Sequence, residues 1–168
     1  MYVRPRDWSI EDARCSRERS DSSQVSKDTE AMMAEFAFAA ELESLARIRN
    51  EVKQFSEHQN FSEQFTYDLL LCVDEACTNI IKHGYEGMNP GSILLDFIRV
   101  NDRVEITLTD FGHPFEPAPP PRPDVTEALE GDQVGGFGLY IIYETMDDIE
   151  YEATPAGNHL RLTKYLND

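Results

Sequence analysis

At 168 residues the chain can bury a substantial single-domain core, and its 40% hydrophobic and 28% charged residues are those of an ordinary soluble globular protein. A net charge of −17 argues against a phosphate-neutralising surface, so neither nucleic acid nor an anionic membrane is an expected partner. No apolar run approaches the roughly 18 residues that span a bilayer, and Arg4 and Arg6 lead into no hydrophobic stretch. No secretory signal is read, and the expected compartment is cytoplasmic.

Residues 1–32 mix both charges with Ser16, Ser20, Ser22, Ser23 and Ser26 and show no apolar periodicity. They are expected to form a flexible N-terminal extension to a domain at 33–168. Glu35–Ala39 reads as a short strand. Leu42, Leu45, Ile48, Val52 and Phe55 then recur at helical spacing, which predicts a helix over about 41–58. A second amphipathic helix is predicted over 62–84, opened by Ser62 as a cap and closed near Gly84. Ile93–Val100 is rich in large apolar residues, and Val104, Ile106 and Leu108 alternate with Glu105, Thr107 and Thr109. These are two strands joined by a turn at Asn101-Asp102.

Pro114, Pro117, Pro119, Pro120, Pro121 and Pro123 forbid regular structure over much of 111–135. A long irregular loop inside a compact domain is usually functional or disordered. Leu139, Ile142 and Met146 mark a short helix entered through glycines. Ile149–Ala153 and Leu160–Leu162 close a hairpin around Pro155–Asn158. The element order predicts an α+β two-layer sandwich, with helices packed on one face of a mixed, largely antiparallel sheet.

Cys15, Cys72 and Cys77 are an odd number with no CxxC, which fits neither a disulfide framework nor a zinc site. Chemistry is instead carried by three short segments. On a wheel of 62–84, Leu69, Val73, Ala76, Cys77, Ile80 and Gly84 form one side; Asp68, Cys72, Glu75, Asn79, Lys82 and His83 form the other. Glu75 and Asn79 are four apart and therefore neighbours. A carboxylate beside a carboxamide suits a hydrated Mg²⁺ and an oriented nucleophile, although a lone pair of this kind is more often a solvated helix face. Asp110-Phe111-Gly112 ends a strand, where a carboxylate can meet a ligand and a glycine permits close approach. Val134-Gly135-Gly136-Phe137-Gly138-Leu139 leads into a helix whose N–H groups can cradle phosphate. Neither dinucleotide nor Walker spacing is present.

In this order the three segments resemble the boxes of the GHKL superfamily of ATPases. Val73–Tyr85 is similar to the first, Asp110–Pro114 to the second and Gly135–Leu139 to the third. The form of the boxes, together with Met146–Tyr151, is similar to the anti-sigma-factor serine/threonine kinases, and the resemblance covers about residues 33–166. It implies a Bergerat-type ATP-binding fold using ATP and Mg²⁺. It implies Glu75 as general base, Asn79 as Mg²⁺ ligand, Asp110 as acceptor from the adenine amino group with Gly112 supporting that turn, and Gly136 and Gly138 admitting the lid backbone to the phosphates. Residues 114–135 would be the mobile ATP lid, with Lys82, His83 and Arg122 as candidates for phosphate contact. The implied partners are an anti-sigma-antagonist-type protein as phosphoacceptor and a sigma factor as competing ligand, with a homodimer as the assembly. A domain that holds ATP or ADP as a switch without turnover is the alternative reading.

Overall fold

The computed structural model describes residues 32–115 and 137–166. The expected extension at 1–32, apart from Met32, and most of the expected lid lie outside the described residues. The chain runs β1 (Met32–Ala39), a short turn of 3-10 helix (Leu42–Ser44), α1 (Leu45–His58), α2 (Glu63–Asn79), a π-helical turn (Ile80–Gly84), β2 (Ser92–Val100), β3 (Arg103–Asp110), α3 (Phe137–Thr145), β4 (Asp148–Thr154) and β5 (Gly157–Tyr165). The sheet order is β1-β2-β3-β5-β4. All four pairings are antiparallel, so this α+β sandwich carries no parallel ladder among the described strands.

Alternation sorts the strands into two faces. Ile93, Leu95 and Phe97 are buried on β2, as are Val104, Ile106 and Leu108 on β3, and the residues between them are partly exposed. The register places Phe97, Ile106 and Leu162 in one row and Leu95, Leu108 and Leu160 in the next. Onto these rows α1 presents Ile48, Val52 and Phe55, and α2 presents Leu69, Val73, Ala76 and Cys77, all in one core cluster. Phe55 stacks on Phe97 with ring centroids 4.9 Å apart. The helices thus cover one face of the sheet.

Local chemistry sets the element ends. Ser62 is extended, and its Oγ accepts a hydrogen bond from the Phe65 N–H at 3.2 Å, so α2 starts at Glu63. Asn101 takes a φ of 56°, a left-handed conformation that asparagine tolerates, and closes the β2–β3 turn.

One expectation fails here. The wheel places Cys72 on the polar side of α2 with Glu75 and Asn79, yet it is 0% exposed. The reason is α3, which packs along that side and covers it. Burial pushes the thiols of Cys72 and Cys77 up to about 12, so neither is a ready nucleophile.

On the opposite face of the sheet, Glu35 and Asp96 are direct cross-strand partners. Burial, with Glu35 as the lesser cause, raises the Asp96 carboxyl above its ordinary value. A carboxyl raised in the folded state binds its proton there more readily than in the unfolded chain. Stability therefore falls as pH rises through that window, and the penalty is complete above it. Asp96→Asn is expected to raise Tm at pH 7 by on the order of a degree or two, the scale of one like-charge cross-strand pair, with the gain vanishing in acid. Thermal denaturation across pH checks this; an equal gain at every pH contradicts it.

Candidate active site

Asp68, Cys72, Glu75 and Asn79 lie at i, i+4, i+7 and i+11, a single stripe of α2. α3 crosses this stripe with its first turn at the Asn79 end. A Cβ built on Gly138 would sit 2.5 Å from Glu75 Oε2 and 3.5 Å from Asn79 Nδ2. At the other end of α3, Thr145 lies beside the Cys72 side chain. The first turn of a helix leaves backbone N–H groups without intrahelical partners and carries partial positive charge. In α3 that turn abuts the acid–amide pair.

The absence of a side chain at Gly138 is therefore a requirement of Glu75. Gly138→Ala falls at the second residue of α3 and strikes only the far end of a flexible carboxylate, so the fold is expected to hold. The carboxylate must move, and any reaction that uses it is expected to slow by about 10- to 100-fold with Tm close to that of the wild type. Steady-state kinetics beside a melting curve test this. Undiminished kcat contradicts it.

A second cluster forms where β3 ends. Asp110 is 6% exposed and Asn158 4%, and the β3–β5 register sets them side by side. Asp110 Oδ1 accepts from the Gly112 N–H at 2.9 Å and from Asn158 Nδ2 at 2.9 Å; Asn158 Nδ2 also donates to the Gly112 carbonyl at 3.1 Å. Asp110 is thus held rigidly with its other oxygen, Oδ2, outside these bonds. The π-helical turn meets this cluster from the other side. His113 N–H donates to the Gly84 carbonyl at 2.6 Å. Phe111 N–H donates to the Tyr85 hydroxyl at 3.0 Å, which donates to the Ser92 carbonyl at 2.9 Å. Phe115 N–H is tied to the Tyr151 hydroxyl at 3.0 Å, fixing residues 111–115 against β4. A cleft of about 400 Å³, lined by Phe111, Gly112, Pro114, Thr154, Pro155 and Asn158 among others, opens beside this cluster, and none of Glu75, Asn79 and Asp110 lines it.

Of the residues singled out in the sequence, Glu75, Asn79 and Gly138 come together at one end of α3. Asp110 and Gly112 come together at the end of β3, with Gly84 of the first box packed on them. Lys82 and His83 are exposed on the π-helical turn and make no ion pair among the described residues. Gly136 and Arg122 lie outside the described residues. Sequence reasoning missed Asn158 and Tyr85. Asn158 falls in a segment whose sequence reads as a turn, and it and Asp110 are 48 residues apart in the chain. The donor set offered by Glu75, Asn79 and Asp110 is oxygen and amide, suited to a hard cation, to phosphate oxygens through that cation and to an amino group.

A helix-covered antiparallel sheet, an acid–amide pair under a glycine-entered helix and a buried aspartate at a strand end define the class: a histidine-kinase-like ATP-binding domain. Residues 38–164 match the family described as the histidine kinase-like ATPase domain, and the chain belongs to that family. The serine-protein kinase RsbW of Bacillus pumilus is 31% identical over 142 residues, covering 80% of this chain and 86% of that protein. The serine/threonine-protein kinase BtrW of Bordetella bronchiseptica is 28% identical over 129 residues, covering 74% and 91%. In fold, the chain is similar to the crystal structure of the RsbU and RsbW domains of Rv1364c from Mycobacterium tuberculosis, with a TM-score of 0.57 at 13% identity. That match covers 80% of this chain and 32% of the other, so this chain spans about a third of that protein.

Proposed function

We propose that this protein is an Mg-ATP-dependent serine/threonine protein kinase of the anti-sigma type, which phosphorylates a small antagonist protein in a partner switch. The observation that carries the reading is the Glu75–Asn79 pair set against the first turn of α3. Phosphoryl transfer is largely a matter of positioning and charge neutralisation, and that pair supplies both a proton acceptor and an oxygen ligand. Glu75 takes the proton of the attacking serine or threonine hydroxyl. Asn79 would hold Mg²⁺ through its carboxamide oxygen, and the ion would offset phosphate charge that an acidic protein otherwise repels. Asp110, held by Asn158 and Gly112, would offer Oδ2 to the adenine amino group.

The relatives named as serine or serine/threonine protein kinases favour turnover over a nucleotide switch without chemistry. Among the described residues no helix is long and apolar enough to cross a membrane, which is compatible with work in the cytoplasm. A homodimer, a sigma factor as the ligand that competes with the antagonist, and residues 114–135 as the lid complete the reading. Its test is to recover the partner by co-purification, add ATP and locate phosphate by mass spectrometry. One serine or threonine is expected to be modified, and chelation of Mg²⁺ to stop the reaction. A partner that binds in a nucleotide-dependent way and is never phosphorylated defeats the proposal.

A further inference from the structure

Lys164 occupies an unusual position for a charged residue. It lies on β5 with its side chain only 14% exposed. Its Nζ donates to the carbonyl of Thr145, the last residue of α3, at 2.8 Å. The same atom is 3.2 Å from Asp68 Oδ2 and 5.8 Å from the centre of the Phe65 ring, both on α2. A cation at a helix C-terminus complements the exposed carbonyls and the negative end of the dipole. One ammonium group thus fastens the end of α3 to α2 and β5 together. Asp68 belongs to the same α2 stripe as Glu75, two turns earlier, and Gly138 at the opposite end of α3 touches Glu75.

We propose that Lys164 is a positioning residue of the transfer reaction, acting through α3 to hold Gly138 and its helix turn against Glu75. The lever is short and stiff. A nine-residue helix is about 13 Å long, so a tilt of about 10° at the Thr145 end moves the Gly138 end by about 2 Å. A misplacement of about 1 Å in a reacting site can cost about 100-fold in rate. The strap therefore acts on the orientation of Glu75 rather than on the adenine anchor, which is built from β3, β5 and the π-helical turn. Its effect falls on kcat and spares the affinity for ATP.

Lys164→Met leaves Asp68 without its cation and lowers stability as well as activity. The double variant Asp68→Asn/Lys164→Met removes both charges, so it separates the two effects. Measured on the full chain, well below its melting temperature, the double variant is expected to recover most of the lost Tm. Its kcat stays at least about 10-fold below wild type, and its KM for ATP stays within about 2-fold. Wild-type kcat in the folded double variant, or a change confined to KM, overturns the proposal. The inference rests on Glu75 carrying the reaction. Undiminished transfer by Glu75→Ala would remove that reading, whereas wild-type kcat in the double variant with Glu75 essential would remove the strap alone.

Discussion

Phosphate transfer by Glu75→Ala is expected to fall by about 10²- to 10⁴-fold, the range that a positioned general base contributes, while Mg-ATP still binds. The prediction separates chemistry from binding because the two clusters are built on different elements. Glu75 stands on α2 under Gly138, whereas Asp110 is locked by Asn158 on β5 and by the turn to Gly112. Loss of a methylene carboxylate that is half-buried and bears no hydrogen bond among the described residues removes little from the fold, so Tm is expected to change by no more than a few degrees. Single-turnover transfer with purified partner, beside a nucleotide titration, measures both. A variant that transfers phosphate at the wild-type rate excludes Glu75 as the base. A variant that no longer binds nucleotide shows instead that the carboxylate holds the ligand.

Gly112→Ala is the second large effect and acts on the other cluster. A Cβ there would lie 2.2 Å from the Gly84 carbonyl oxygen and 2.5 Å from its carbon, both backbone atoms. Neither can swing aside as a side chain would, because that oxygen already accepts from His113 N–H at 2.6 Å and the adjoining Tyr85 hydroxyl is fixed between Phe111 and Ser92. Either the π-helical turn or the Asp110 turn must open. The expected cost is about 2–3 kcal/mol, lowering Tm by about 5–10 °C, together with loss of the stabilisation that nucleotide gives the wild type. Gly84→Ala is the control, since its Cβ would meet Asp110 Oδ1 and Ile80 at 3.7 Å, ordinary contact. Equal behaviour of the two alanine variants contradicts the account of the contact.

How much of this was written in the sequence differs from element to element. The strands β2 and β3 and the helices α1 and α2 were legible because each buries one face, and burial imposes a period of two or 3.6 that single residues cannot hide. The Ser62 cap was legible for a different and local reason, the hydroxyl that a serine ahead of a helix offers to the first turn. The π-helical turn at Ile80–Gly84 was not. It has no composition of its own, and the Tyr85 that follows it is held by Ser92 and Phe111, contacts made across gaps of 7 and 26 residues. Cys72 lies on the side the wheel gives it, but its burial was not legible, because a wheel drawn from α2 alone has only one apolar side, while α3, some sixty-five residues later, supplies a second covering surface. Glu75 and Asn79 could be picked out as a pair from their spacing. Their opposition to Gly138 could not be seen until α3 was laid across them, and Asn158 carried no signal in a segment whose Pro and Gly read as a turn.

The most direct measurement of the central claim is isothermal titration calorimetry of Mg-ATP into the wild type, Glu75→Ala and Asp110→Ala proteins. The account predicts saturable binding to the first two and none to the third, because the proposed function assigns adenine recognition to the buried carboxylate at the end of β3. Binding that survives intact in Asp110→Ala would place the nucleotide elsewhere on the molecule.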